Sequence, residues 1–226
     1  MNLDATAAAL CAAVYLERGH AAKRAAELGY AVTAWFDQAD AEAALFTGAR
    51  WAYLAVRGTE ASKLEWSDLW ANARALPKRW AGAGCVHEGY LAEAMKLWPH
   101  AEPRLRKLGL PYYLTGHSLG GAVATILAEL IAGNDDVPDP LALVTFGSPK
   151  VGDEDFHRDN PIVAHRRYVN RMDFAPATPL IGFAHGVEGI PLDSGPFDRA
   201  QGRGWTGPLR DHSIERYAAA LAAIEP

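Results

Sequence analysis

Hydrophobic and polar residues change their spacing along this chain, and the changes predict its helices and strands. An alanine-rich stretch at 5–28 predicts helix, with a break near Gly19. Short strands are predicted next at 31–36, 41–47 and 51–56, and the last is apolar at nearly every position, as in strands buried on both faces. Because no helical pattern separates these strands, we expect them to be antiparallel and to form one edge of a sheet.

Strands and helices alternate in the rest of the chain. A helical pattern follows the segment VHEGY and runs toward Leu97, and Pro99 and Pro103 are expected to break it. Further strands are predicted at 111–115, 141–146 and 162–170, helices at 119–131 and 212–224, and at most short strands within the glycine- and proline-rich stretch 174–208. This alternation predicts a mostly parallel central sheet flanked by helices, in one α/β domain that spans residues 1–226.

One turn carries the pattern of a catalytic serine. Residues 116–120 read GHSLG, which matches G-x-S-x-G, and they join a predicted strand to a predicted helix. In such an elbow the serine adopts a strained conformation, and the flanking glycines prevent collisions with neighbouring backbone. The N-terminus of the following helix adds positive charge where an oxyanion would form. An ordinary glycine-containing turn is the alternative, but the position between strand and helix favours Ser118 as a nucleophile.

A nucleophilic serine requires a base and an orienting carboxylate, which in elbow enzymes follow in the order serine, acid, histidine. Asp173 stands directly after a predicted strand and is the favoured acid, with Asp153 and Asp193 as alternatives. Asp153 also has the position of an N-cap of a short helix. His212 begins the last predicted helix and is the favoured base, with His185 as the alternative.

Backbone N–H groups are expected to bind the oxyanion formed during acyl transfer. One is the N–H of Leu119, the residue after the nucleophile. The second is expected from the loop after an earlier strand, where Gly58 permits a tight turn before Thr59. Taken alone, this Arg-Gly-Thr turn fits an ordinary loop equally well.

Several ordered segments resemble the class 3 (fungal-type) lipases of the α/β-hydrolase superfamily. They are AVRGT at 55–59, WSDLWANA at 66–73, VHEGYL at 86–91, LTGHSLGGAVAT at 114–125, FGSPKVGD at 146–153, YVNRMDFAPATP at 168–179 and DHSIERY at 211–217. The resemblance implies an α/β-hydrolase fold and an ester hydrolase that requires no metal or organic cofactor. It also implies Ser118 as nucleophile, Asp173 as acid, His212 as base, and Thr59 and Leu119 as oxyanion donors.

In this family the segment after the oxyanion turn often forms a lid helix over the site. Residues 60–76 occupy that place here, and their apolar side chains have spacings close to one helical face. A core helix has the same pattern, so a lid and a core helix are both compatible with the sequence. The candidate lid or substrate-contacting residues are Leu64, Trp66, Leu69, Trp70 and His117.

Composition excludes some classes of protein. The formal net charge is -5, without the basic stripe that a nucleic-acid-binding surface requires. The first residues lack the positive region of a signal peptide, and no apolar run approaches the roughly 18 residues of a membrane span. A cytoplasmic location is therefore expected by default, with export by a route without a cleavable signal as the alternative. Cys11 and Cys85 are too few for a disulfide framework, and we expect two unpaired thiols, with a single disulfide as the alternative.

The sequence therefore predicts a lipase or esterase that acts on acylglycerols or other apolar acyl esters. Its predicted partner is a small-molecule ester or a lipid, with transient contact to a lipid interface. A phospholipase A1-type acyl-hydrolase is one alternative. A catalytically silent α/β-hydrolase fold that serves as a binding module is the other.

Overall fold

The computed structural model describes residues 2–58, 76–159, 164–195 and 210–224. The helices are α1 (Leu3–Ala13), α2 (Arg18–Glu27), α3 (Glu88–Arg106), α4 (Leu119–Ala132), α5 (Glu154–Asp159) and α6 (Ile214–Ala223). The strands are β1 (Ala31–Gln38), β2 (Ala41–Thr47), β3 (Ala52–Val56), β4 (Pro77–Arg79), β5 (Cys85–His87), β6 (Tyr112–His117), β7 (Ala142–Phe146), β8 (His165–Asn170) and β9 (Gly189–Leu192).

Within the described ranges, one sheet contains seven strands in the order β1-β2-β3-β6-β7-β8-β9. The pairs β1–β2 and β2–β3 are antiparallel. The pairs β3–β6, β6–β7, β7–β8 and β8–β9 are parallel. This arrangement confirms the predicted parallel sheet with an antiparallel edge. A separate ribbon of β4 and β5 was not predicted. Each of its strands has only three residues, too few for a readable alternation.

Helices cover both faces of the sheet, so the side chains of the central strands pack in two separate hydrophobic cores, one on each face. Strands β3, β6 and β7 are buried along their whole length. In β6, Leu114 packs in the core formed with α3 and α4, while Tyr113 packs on the other face with α1 and α6. Because β3, β6, β7 and β8 run in the same direction, the loops that follow them meet at one edge of the sheet, where α/β proteins bind ligands.

Helix α3 corrects one prediction, because it runs without a break through Pro99 and Pro103. A proline inside a helix removes one backbone hydrogen bond and costs about 3 kcal/mol or more. Helix α3 buries Ala94, Leu97 and Leu105 against the sheet and α4, whereas Pro99 is exposed. The backbone carbonyl freed by Pro99 can therefore reach water, and burial of the opposite face outweighs the local preference for a break.

The N-terminal helical region is also interrupted at a different place from the predicted one. Helix α1 ends at Ala13 and α2 begins at Arg18, so Gly19 lies inside α2. The interruption contains Tyr15, whose hydroxyl hydrogen-bonds to the side chain of His117. Tyr15 thus lies between the two helices, where it points toward His117.

Neither cysteine forms a disulfide. Cys11 is buried in α1 with its Sγ 3.1 Å from the Thr115 hydroxyl, and burial raises the pKa of its thiol to about 12. Cys85 lies in β5 with intermediate exposure. Among the described residues, no group of three or more histidine, cysteine or acidic side chains is placed to hold a metal ion. In the same part of the chain, the helices include none long and apolar enough to cross a bilayer.

Candidate active site

Ser118 occupies a sharp turn between β6 and α4, with φ of 56° and ψ of -129°. Residues other than glycine seldom adopt a positive φ, because the side chain then collides with the backbone. A Cβ at Gly116 would stand 2.2 Å from the Gly120 carbonyl oxygen, and one at Gly120 would stand 2.3 Å from that of Val56. The glycines therefore let α4 approach β6 and β3 closely, as a nucleophile elbow requires.

Three side chains form a hydrogen-bonded chain at this elbow. His212 Nε2 lies 2.8 Å from Ser118 Oγ, and His212 Nδ1 lies 2.8 Å from each carboxylate oxygen of Asp173. Ser118 and His212 are each 2% exposed, and Asp173 is 7% exposed. A carboxylate can only accept, so Nδ1 carries the proton and Nε2 can accept one from Ser118. The structure thus brings together the residues predicted as nucleophile, base and acid.

Two further donors orient the carboxylate of Asp173. The Ala175 N–H donates to Oδ1 at 2.9 Å, and the Tyr217 hydroxyl donates to Oδ2 at 2.6 Å. Burial and the nearby carboxylate raise the pKa of Tyr217, so the hydroxyl keeps its proton. Tyr217 was missed by the sequence analysis, because an aromatic residue on the buried side of α6 looks like an ordinary core residue.

The alternative acids and the alternative base lie in other surroundings. Asp153 caps α5 by accepting a backbone N–H at 2.8 Å, as its position in the sequence indicated. Asp193 is exposed and forms an ion pair with Arg171. His185 donates from Nε2 to a loop carbonyl 2.7 Å away, and burial lowers its pKa to about 4. None of these three side chains joins the chain of hydrogen bonds that ends at Ser118.

His117 lies behind the nucleophile, although it was predicted among the substrate-contacting residues. Its Nε2 stands 2.6 Å from the carbonyl oxygen of His212, and its Nδ1 stands 2.8 Å from the Tyr15 hydroxyl. Because the carbonyl only accepts, Nε2 carries the proton and Nδ1 accepts from Tyr15. Burial and the neighbouring His212 lower the pKa of His117, so the ring is neutral. Both ring nitrogens are used inside the protein, and neither is available to a substrate.

Tyr15 extends this chain of hydrogen bonds to the loop after β3. Its hydroxyl oxygen accepts the Gly58 N–H at 2.9 Å while its proton goes to His117. Gly58 itself is pressed against the elbow, since a Cβ there would stand 2.5 Å from the His117 carbonyl oxygen and 3.2 Å from Ser118 Cβ. Tyr15 therefore connects the end of α1 with the predicted oxyanion turn, the nucleophile strand and the backbone of the base.

Leu119 is placed as an oxyanion donor should be. It is the first residue of α4, so its N–H has no carbonyl partner within the helix, and it directly follows Ser118. The other predicted donor and the candidate lid residues fall in 59–75, outside the described residues; they are Thr59, Leu64, Trp66, Leu69 and Trp70.

Comparison with known proteins identifies the family. The family model described as lipase (class 3) matches residues 53–183, more than half of the chain, and this range includes Ser118 and Asp173. The chain belongs to the class 3 lipase family. His212 lies beyond the matched range, and the fold brings it to the elbow.

Curated relatives match about half of this chain. Phospholipase A1-II 1 of Oryza sativa subsp. indica is 32% identical over 118 residues, which are 50% of this chain and 29% of that protein. The secreted mono- and diacylglycerol lipase 1 of Fusarium solani is 34% identical over 131 residues, which are 52% of this chain and 37% of that protein. The matched part thus spans well under half the length of these curated relatives.

Solved lipase structures share the fold. The triacylglyceride lipase of Rhizomucor miehei superposes with a TM-score of 0.69 at 22% identity, covering 84% of this chain and 78% of that one. The lipase of Rhizopus microsporus var. chinensis gives 0.66 at 20% identity, covering 84% and 72%. At these identities the likeness concerns the fold alone, and it confirms the predicted α/β-hydrolase architecture.

Proposed function

We propose that this protein is a serine carboxylic-ester hydrolase, a lipase or esterase that acts on acylglycerols or other apolar acyl esters. The observation that carries the proposal is the hydrogen-bonded chain from Ser118 through His212 to Asp173 at a positive-φ elbow. Membership of the class 3 lipase family supports the same reaction class.

In the first half of the reaction, the Ser118 hydroxyl attacks the ester carbonyl carbon while His212 Nε2 takes its proton. Asp173 holds the imidazole through Nδ1 and stabilises the positive charge that it gains. The carbonyl oxygen becomes an oxyanion at the N-terminus of α4, where the Leu119 N–H can donate to it. Thr59 is the predicted second donor, and each such donor is worth about 3 kcal/mol in the transition state.

The acylated serine is then formed and hydrolysed. His212 gives its proton to the leaving alcohol oxygen as the ester C–O bond breaks, which leaves the acyl group on Ser118 Oγ. A water molecule next attacks the acyl carbon while His212 takes a proton from it. The second tetrahedral intermediate collapses, His212 returns the proton to Ser118 Oγ, and the carboxylic acid leaves.

Phospholipase A1 activity is the second candidate. It is supported by the rice phospholipase A1-II proteins, which are about one-third identical to this chain over half of its length. Both candidates use the same ester chemistry and differ in the alcohol part of the substrate. Release of fatty acid from phosphatidylcholine, compared with release from di- and triacylglycerol, separates them.

The first test is hydrolysis of p-nitrophenyl esters from acetate to palmitate. We expect Ser118→Ala to lower kcat/KM by at least about 10⁴-fold, because the nucleophile is lost. Ser148→Ala is the matched control, since this serine is also buried and, among the described residues, its hydroxyl donates to the Pro149 carbonyl. The chain-length optimum distinguishes an esterase from a lipase. A folded wild type that hydrolyses no ester and does not react with a fluorophosphonate would instead indicate a binding module.

A further inference from the structure

An aliphatic loop tip projects from the protein between β8 and β9. Leu180 and Ile181 are adjacent, and they are 79% and 87% exposed. Large aliphatic side chains are among those most often buried, so two neighbours at this exposure mark an interaction surface. The tip follows Pro179 and ends at Gly182, whose φ of 80° allows the chain to turn back.

Backbone hydrogen bonds fix both stems of this loop. The Lys150 N–H donates to the Thr178 carbonyl at 2.7 Å, and the Ala184 N–H donates to the Gly152 carbonyl at 2.7 Å. The bridge between Ala184 and Gly152 continues to Val86 of β5. The stems are therefore tied to the loop after β7 and to the ribbon, while the tip between them holds the aliphatic side chains outward.

The tip belongs to the catalytic edge of the sheet. Strands β7 and β8 run parallel to β6, so the loops that follow them emerge at the edge where Ser118 lies. The same loop after β8 contains Asp173. Met172, immediately before Asp173, is 67% exposed and adds a third large apolar side chain to this edge.

We propose that Leu180 and Ile181, assisted by Met172, dock this protein on a lipid surface with neutral or zwitterionic head groups. Docking through this tip turns the edge that carries Ser118 toward the lipid. The inference rests on the proposed function, since docking beside the nucleophile serves an enzyme whose ester substrate lies in a lipid phase. It assigns the contact to a fixed loop outside the candidate lid segment 60–76.

Charged residues near the tip indicate which lipid head groups it can bind. Asp153, Glu154 and Asp155 line a surface cavity of about 370 Å³ together with Gly182 and its neighbours. Lys150 in the adjoining loop is outnumbered by these acidic residues, and the whole chain has a formal net charge of -5. Membrane docking strength depends on buried apolar area and on attraction to anionic lipids. Among the described residues around the tip, acidic side chains outnumber Lys150, so we expect anionic head groups to be disfavoured.

The test measures binding to vesicles of diether phosphatidylcholine, whose ether bonds cannot be hydrolysed. The tip variant Leu180→Ser/Ile181→Ser should bind about tenfold more weakly than the wild type, because two aliphatic side chains no longer enter the lipid. Hydrolysis of soluble p-nitrophenyl butyrate should be unchanged, because both side chains are largely exposed and neither belongs to the hydrogen-bonded chain at Ser118.

A matched control removes one leucine and one isoleucine far from the tip. Leu141→Ser/Ile224→Ser changes residues that are 45% and 50% exposed. Leu141 precedes β7 and thus lies at the opposite edge of the sheet, and Ile224 follows α6, which extends ten residues, about 15 Å, from the His212 side. This variant should bind vesicles as the wild type does.

Three results would overturn the proposal: wild-type binding by the tip variant, stronger binding when phosphatidylserine is mixed into the vesicles, or a change in self-association without a change in vesicle binding. The single variant Ile181→Ser should give an intermediate loss, and it keeps the test valid if the double variant folds poorly. Failure of the wild type to hydrolyse soluble esters would refute the proposed function separately, because vesicle binding is measured without hydrolysis.

Discussion

Removal of one hydroxyl group, in Tyr15→Phe, tests whether the hydrogen bonds behind the nucleophile support catalysis. The hydroxyl accepts the Gly58 N–H and donates to His117 Nδ1, and His117 in turn donates to the His212 carbonyl. The substitution leaves the aromatic ring in place. It therefore removes two hydrogen bonds and little apolar packing.

The magnitude follows from the groups that lose their partner. The Gly58 N–H and His117 Nδ1 both lie in the interior, and a buried polar group without a partner costs about 1–3 kcal/mol. We expect the free energy of unfolding to fall by about 2–6 kcal/mol in total. For a domain of this size, each kcal/mol corresponds to about 2–4 °C in Tm.

The effect on catalysis should be on kcat rather than on KM. Gly58 immediately precedes Thr59, the predicted second oxyanion donor, and complete loss of such a donor lowers kcat about 10²–10³-fold. Tyr15→Phe loosens the turn without deleting the donor. We therefore expect kcat for p-nitrophenyl butyrate to fall about tenfold with little change in KM, since ground-state binding of a small ester does not depend on this turn.

Tyr112→Phe is the matched control, because it makes the same chemical change in strand β6, which also carries His117. The Tyr112 hydroxyl donates only to the Pro138 carbonyl, at the opposite end of the strand from Ser118. This variant should lose about 1 kcal/mol of stability and keep its kcat. A wild-type Tm and kcat in Tyr15→Phe, or an equal loss of kcat in both variants, would refute this role of the Tyr15 hydroxyl.

Two further substitutions test the buried carboxyl group of Glu129 and the close approach of α4 to β3. Burial raises the pKa of Glu129 in α4 from 4.5 to about 7. The folded state therefore binds its proton more tightly than the unfolded state, and stability should fall as pH rises from about 4.5 to 7. Urea unfolding measures the free energy of unfolding of Glu129→Gln and of the wild type across this pH range. The variant should become more stable relative to the wild type by about 1–3 kcal/mol as pH rises from about 4.5 to 7. A difference between the two proteins that does not change with pH would contradict this. In calorimetry, Gly120→Ala should lower the free energy of unfolding by at least about 2 kcal/mol, because its Cβ would meet the Val56 carbonyl. Gly19→Ala is the control and should not destabilise the protein, because the space around Gly19 is open.

The nucleophile elbow could be predicted because its requirements are local. A glycine on either side of Ser118 is required by backbone contacts within a few residues, so the pattern is visible in the sequence. Asp173 and His212 could be predicted because each stands at the end of a recognisable element in a known order. The hydrogen bonds from Tyr217 to Asp173 and from His117 to the His212 carbonyl could not be predicted, since they join segments far apart in the chain.

The two tyrosines that support the site gave no signal in the sequence. Tyr15 and Tyr217 lie in apolar helical patterns, where an aromatic ring most often fills the core. Their hydroxyl groups form the hydrogen bonds that support the site, and one polar atom does not change a hydrophobic pattern. The unbroken helix through Pro99 has a related cause, because tertiary burial outweighs local preference there. Contacts between segments far apart in the chain determine both the role of the two tyrosines and the continuity of helix α3.

The active site depends on the two ends of the described chain as much as on its centre. The family match at 53–183 contains the nucleophile and the acid, but Tyr15 precedes it, and His212 and Tyr217 follow it. Helices α1 and α6 pack together on the same face of the sheet. Asp4 of α1 is held in turn by two hydrogen bonds from Arg166 of β8, at 2.6 and 2.7 Å. Because β8 leads to the acid, this partly buried ion pair fixes α1, and with it Tyr15, relative to the strand that delivers Asp173.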